Sequence, residues 1–208
     1  MLLLYGMTKS GTPAPPFEGV GGEPLRSLDE QGITAWHSNA APTRGAKEDV
    51  LAFHRVISAL FQAATVIPFR MPTLLPGEPE LRAWLAANAA TILRELERLR
   101  GVVQMELHIA APAPAAAGSG RAYLESRRDA QRALAERAAA AREALADLAA
   151  EWRQRETRDG IRCFALVPRG RERDFVSHLD ASGRRDDLRV TGPWPPAEFL
   201  DPALTTPA

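Results

Sequence analysis

The side chains in this sequence with the means to do chemistry are its four histidines, its single cysteine and a few glycine-rich stretches. His37, His54, His108 and His178 stand far apart. None has a second His, Cys or carboxylate at a spacing that recurs in metal sites, so no metal ligand is assigned. His54 falls on the face of an expected helix and His108 on the polar side of an expected strand, which suits surface or core-edge histidines. Cys163 stands in "RCFALV", apolar enough for a buried strand, whereas a nucleophilic thiol needs exposure and a positive or helix-terminal neighbour. "GVGGEP" lacks the spacing of a dinucleotide loop, and "GSGR" opens a helix but follows a linker rather than a strand, leaving only Gly118 to Gly120 for a phosphate. No Ser, Asp and His set stands out. Stacking of RNA bases would need exposed aromatics on central strands, yet "VVQMELHI" has none and "IRCFALV" only Phe164. The residues therefore assign no catalytic, cofactor-binding or metal site.

Composition points the same way. Lys plus Arg number 26 and Asp plus Glu number 26, so no net field draws the chain to nucleic acid or to an anionic membrane, and a partner must be recognised through local surface. The lone cysteine cannot form an internal disulfide, and "MLLLYGMTK" has neither the basic start nor the apolar length of a signal peptide, so a cytosolic protein is expected. No apolar run approaches the ~20 residues of a membrane-spanning helix.

Hydrophobic periodicity distributes these residues over two groups of elements. "MLLLYGM" reads as a strand buried on both faces, and "LRSLDEQGITAWHS" as two strands around a turn at Glu30 to Gly32, with residues 10–24 a connector rich in Gly and Pro. "KEDVLAFHRVISALFQAA" predicts a helix whose inner face holds Val50, His54, Ile57, Leu60, Phe61 and Ala64. "TVIPFRM" predicts a short strand in which Pro68 marks an edge or an end, because proline cannot donate to a ladder. A second helix starts near Pro79, carries a stripe of Leu81, Leu85, Ile92, Leu96 and Leu99, and stops at Gly101. Residues 1–101 are thus expected to form an N-terminal α/β domain.

In "VVQMELHI" the residues Val103, Met105, Leu107 and Ile109 alternate with Gln104, Glu106 and His108, as in a half-exposed antiparallel strand. After a linker at 111–120, a long helix over 119–151 repeats Leu134, Ala138, Ala141, Leu145, Leu148 and Trp152. A hairpin turning at Asp159 and Gly160, a short helix with Phe175 and Leu179, and the strand "DLRVTG" complete the order strand, helix, strand, strand, helix, strand. This order is the ferredoxin-like βαββαβ arrangement, expected over 102–193, with 194–208 a Pro-rich tail; the fold class is α+β. The long seam could serve a coiled-coil partner, but Ala138 and Ala141 weaken it and the helix's own sheet needs the same stripe, so a monomer is expected.

Two proline-bearing stretches remain. In "GPWPP", Pro193, Pro195 and Pro196 fix their own φ and bias their neighbours to extended geometry, so Trp194 rides on a stiff segment. Two uses fit: a plug folded over the end of the core, or an aromatic anchor for a partner. "VTGPWPPAEF" resembles the closing motif of the gas vesicle protein F/L family, and "TVIPFRMPT" resembles that family's central motif. Between them, in order, "LRGVVQMELHI" is similar to its leucine-rich helix end and following strand, and "GRAYLESRR" to the start of its long second-half helix. The four matches span about residues 47–199; the chain departs from the family at Met71, Pro72 and Ala197.

The resemblance implies a non-enzymatic gas vesicle assembly or minor structural protein, located at the vesicle or in the cytoplasm, needing no cofactor. It would associate with the small hydrophobic shell protein and other accessory vesicle proteins. The resemblance also implies an N-terminal α/β domain and a modified ferredoxin-like C-terminal domain. Its motifs single out Pro68, Phe69 and Arg70 in the centre and Gly192, Pro193, Trp194, Pro195, Pro196 and Phe199 at the end. The rival is a ferredoxin-like small-ligand binder or enzyme, which needs a pocket of converging polar groups such as His37, His54 or His108.

Overall fold

The computed structural model describes residues 1–40, 47–111, 120–181 and 188–204. Most of the 111–120 linker, Gly118 included, lies outside the described residues. The chain divides into two compact units, one of residues 1–101 with 194–208 and one of residues 102–193.

The first unit is built on β1 (Leu2–Lys9), β2 (Arg26–Glu30) and β3 (Ile33–Asn39), followed by α1 (Lys47–Ala63), β4 (Ile67–Pro68), β5 (Leu74–Leu75) and α2 (Glu78–Arg98). The sheet runs β2-β3-β1-β4, and β5 also pairs with β1. All pairings are antiparallel. Residues 2–8 of β1 are all buried, as its unbroken apolar run requires. The cause is a helix on each face. Phe53 of α1 stacks on Tyr5 at 5.1 Å, while Glu97 of α2 pairs with Lys9 at 2.7 Å. A register shift between Leu4 and Gly6 puts Lys9 on the face of Leu4 and His37, opposite to Ser38, whose hydroxyl meets that of Tyr5 at 3.0 Å.

The stripe of α2 is buried as its spacing predicts, at Leu81, Leu85, Ile92, Leu96 and Leu99. The face of α1 is rotated from the expected one. Ala52, Phe53, Val56, Ile57, Leu60 and Phe61 face inward, whereas Val50 is 39% exposed and His54 is exposed. Two apolar stripes sharing Ile57, Leu60 and Phe61 compete on this helix, and burying the Phe53 ring against Tyr5 outweighs burying Val50. Strand β5 has no signature in the sequence. Two residues carry no readable period, and the strand exists because the backbone of Leu74 and Leu75 meets Leu3 and Leu2.

The second unit comprises β6 (Val102–Ala110), α3 (Gly120–Ala144), β7 (Glu151–Thr157), β8 (Gly160–Pro168), α4 (Glu172–Ala181) and β9 (Leu188–Trp194). Its sheet order is β7-β8-β6-β9, with β6 and β8 central, and α3 and α4 pack on the sheet and on each other. Val103, Met105, Leu107 and Ile109 of β6 lie opposite Val167, Ala165, Cys163 and Ile161 of β8, and all are buried. Leu134, Ala138, Ala141, Leu145 and Leu148 are buried as the seam predicts. The helix is shorter than expected: it ends at Ala144, and Trp152 lies on β7 opposite Ala165. The amide of Ala150 donates to the carbonyl of Leu166 at 2.8 Å, so the ladder to β8 claims backbone that a longer helix would have used.

The expected Pro-rich tail is not a separate element. Residues 194–208 group with the first unit, where Pro196, Phe199, Leu200 and Leu204 are buried. The Arg98 guanidinium donates to the carbonyl of Phe199 at 2.7 Å. Proline content reads as a tail, while the apolar side chains between the prolines provide the burial that docks it.

Candidate interaction surface

The central motif is held to β1 by backbone. Gly6 pairs with Pro68 and Met7 with Ile67. A Cβ on Gly6 would come within 2.9 Å of Val66 Cγ2 and 3.0 Å of the Ile67 carbonyl oxygen, so the close approach of β4 depends on glycine there. Proline has no amide to contribute; the next residue supplies it, Phe69 N–H donating to the carbonyl of Tyr5 at 2.9 Å. Beyond, the Leu4 amide donates to the Thr73 carbonyl at 2.9 Å, and the Thr73 hydroxyl donates to the Arg70 carbonyl at 2.6 Å. The Met71–Pro72 peptide is cis. Pro68 and Phe69 are buried, with the Phe69 ring 5.8 Å from that of Trp84 on α2, and Arg70 is exposed.

The closing motif is arranged differently. Gly192 has φ of 127°, and a Cβ there would sit 2.9 Å from both the Gln104 carbonyl oxygen and Met105 Sδ of β6. Only glycine meets both conditions. The Gly192–Pro193 peptide is cis. Pro193 is exposed, Trp194 is 44% exposed, Pro195 is half-buried, and Pro196 and Phe199 are buried. The amides of Ala197 and Phe199 donate to the carbonyls of Pro195 and Pro196 at 2.7 and 3.1 Å, turning the chain inward right after the indole. The candidate residues therefore split: Pro68, Phe69, Pro196 and Phe199 build the first unit, Arg70, Gly192, Pro193 and Trp194 face solvent, and Pro195 lies between.

The histidines do not make a site. His37 is fully buried on the α2 side of its sheet, with both ring nitrogens lacking a hydrogen-bond partner among the described residues. Burial holds its pKa below the usual histidine value, with Glu78 opposing and Arg26 adding to the effect. His54 is exposed on α1, which covers the other face. His108 in the second unit faces Asp159 Oδ2 at 3.4 Å, and His178 Nδ1 lies 2.9 Å from the carbonyl of Asp174. Among the described residues no group of three or more His, Cys, Asp or Glu side chains could hold a metal ion. Cys163 is buried, and desolvation pushes its thiol up to about 11, far from a reactive thiolate. No helix among the described residues is long and apolar enough to cross a membrane.

Two exposed features lie outside the candidate residues singled out above. A cleft of about 330 Å³ lies at the start of α1, where Phe17 and Glu18 from the connector meet Glu48, Asp49 and Arg55. The connector is fixed there by the buried Tyr5 hydroxyl, which accepts the Val20 amide at 2.8 Å. The other is the first half of α3, which exposes Tyr123 and Leu124. A phenylalanine inside a Gly and Pro connector is the only sequence hint of the first; the second has one in the lack of an apolar stripe at every third or fourth place before Leu134.

The family model "Gas vesicle synthesis protein GvpL/GvpF" matches residues 1–201. Gas vesicle protein L of Streptomyces sp. (strain CB03234) is 29% identical, over 87% of this chain and 85% of that one. The crystal structure of the gas vesicle protein GvpF from Anabaena sp. PCC7120 superposes with a TM-score of 0.79 at 17% identity, covering 96% of this chain and 95% of that one. GvpF from Microcystis aeruginosa does so with a TM-score of 0.75 at 17% identity, over 91% and 93%. Two antiparallel sheets with helices, matched almost end to end, and a family match that takes in both proline motifs leave one conclusion: this chain belongs to the GvpL/GvpF family of gas vesicle proteins.

Proposed function

We propose that this protein acts in gas vesicle formation as an assembly or minor structural component, binding monomers of the small apolar shell protein and other accessory vesicle proteins, with Trp194 as an anchor. The observation that carries this reading is the 44% exposure of Trp194 between two prolines that stiffen the segment. An indole that merely closed the core would be covered. Here Pro193, Pro195 and Pro196 restrict the segment, so docking of the ring would lose little further backbone entropy. Large, rigid aromatic side chains of this kind are common at the energetic centres of interfaces.

Co-expression with the shell protein and affinity purification test the proposal. The wild-type chain is expected to capture shell protein, and Trp194→Ala to remain folded by circular dichroism while capture drops by about tenfold or more. Unchanged capture by Trp194→Ala would remove the anchor. Absence of any vesicle protein in the wild-type eluate would remove the proposal itself.

A further inference from the structure

The two exposed features outside the buried motif residues are complementary. On α3 the buried side chains begin at Leu134, and every side chain from Tyr123 to Asp129 is exposed. The free half, residues 120–133, is about 21 Å of helix at 1.5 Å per residue. Tyr123, Leu124, Arg127, Arg128 and Gln131 share one of its faces by their spacing of three and four. Arg121 and Arg132 pair along the helix with Glu125 and Asp129. Arg127 and Arg128 have no partner among the described residues, so this face carries two uncompensated positive charges beside two apolar side chains.

The cleft at the start of α1 has the opposite character. Glu18, Glu48 and Asp49 line it with a single cation, Arg55, and none of the three carboxylates is paired among the described residues. Phe17, 46% exposed, lines the same cleft, and Leu51, 52% exposed, stands on the adjoining turn of α1. Acidic walls beside apolar side chains match a basic helix face with apolar side chains, and the chain carries both on an otherwise balanced count of 26 cations and 26 anions.

We propose that the free half of α3 in one molecule docks in the acidic cleft of a second copy. Each copy carries one arm and one cleft, so the docking closes a two-fold dimer where both pairs engage reciprocally and otherwise runs head to tail into open chains or a ring. A helix of this length covers less than the roughly 800 Å² per partner of a standard interface, so the association is weak and sensitive to salt.

Sedimentation velocity of the purified full chain, without any shell protein, tests this apart from the function proposed above. In low salt the weight-average mass is expected to rise with concentration, and to return to the monomer value at about 0.5 M salt, where screening acts within a few ångströms. Arg127→Glu with Arg128→Glu should weaken association by about tenfold or more, and so should Glu48→Lys with Asp49→Lys. Mixing the two reversed proteins should restore it, because each then offers the other a complementary arm and cleft. Should the lysine variant misfold at the helix start, Glu48→Gln with Asp49→Asn serves for the cleft, and Tyr123→Ala with Leu124→Ala for the arm. A monomer at every concentration in low salt overturns the proposal. So does association indifferent to either set of substitutions, or a discrete dimer that needs the arm but not the cleft.

Discussion

Residues 67–75 and 192–196 both place prolines at an edge strand, yet the first turns its aromatic ring inward and the second turns its own outward. Phe69 is 3% exposed and packs near Trp84; Trp194 is 44% exposed. The difference follows from where each backbone finds its hydrogen bonds. The central stretch is tied to β1 on both sides of Arg70, through the Phe69 amide and the Thr73 carbonyl, and so has little freedom to leave the core. At the closing stretch, Pro193 and Pro195 flank Trp194, so the amides on either side of the indole are missing from any ladder. Similar residue types thus bury a ring at one sheet edge and expose one at another.

The comparison breaks most visibly at Phe69. Phe69→Ala empties a buried site and should cost about 3–5 kcal/mol, read as a lower urea midpoint. A loss below about 1 kcal/mol would mean that the central motif is not an anchor of the first unit. Gly192→Val adds strain at positive φ and a clash with β6, for about 2–4 kcal/mol in the same measurement; a neutral result would show that β9 can move away from Met105. Tyr5→Phe leaves the Val20 amide and the Ser38 hydroxyl without their buried partner and should cost about 1–3 kcal/mol, with faster proteolysis in residues 10–24.

Acid should distinguish the first unit. His37 has a folded pKa below its ordinary value of 6.5, so as pH falls through 6.5 the unfolded chain takes up a proton that the folded chain refuses. Stability is full above that pH and declines below it, and His37→Leu should flatten the slope of the urea midpoint between about pH 7.5 and 5.5. An unchanged slope would mean that His37 gains a partner on protonation, Glu78 being the candidate because its charge raises the His37 pKa. The smallest effect on folding belongs to the exposed residues. Trp194→Ala and Arg70→Ala should shift stability by no more than about 0.5 kcal/mol each, as surface substitutions do, and a larger loss at Trp194 would class it with Phe69.

Much of the fold is legible because periodicity records which side of an element is apolar. The α2 stripe from Leu81 to Leu99, the alternation of β6 and the seam from Leu134 to Leu148 are all buried as their spacing requires. Where two stripes overlap, as on α1, periodicity cannot choose, and the stacking of Phe53 on Tyr5 does. At Trp152 a continuing pattern runs past the true end of α3, because the ladder to β8 captures the chain there. The candidate site is legible as a set of motif residues but not as an inside and an outside, since a proline-rich string carries no period.

The sequence by itself determined the order of the main elements, the family motifs, the absence of clustered metal-ligand spacings and the balance of charge, all of which depend on residue types and their local spacing. Only the tertiary structure decided that Phe199 docks in the first unit while Trp194 stays exposed, that Gly6 and Gly192 admit neighbouring backbone, and that acidic residues from the connector and from α1 share one cleft. These depend on which segments meet across long stretches of chain, and burial is a property of the neighbour as much as of the residue.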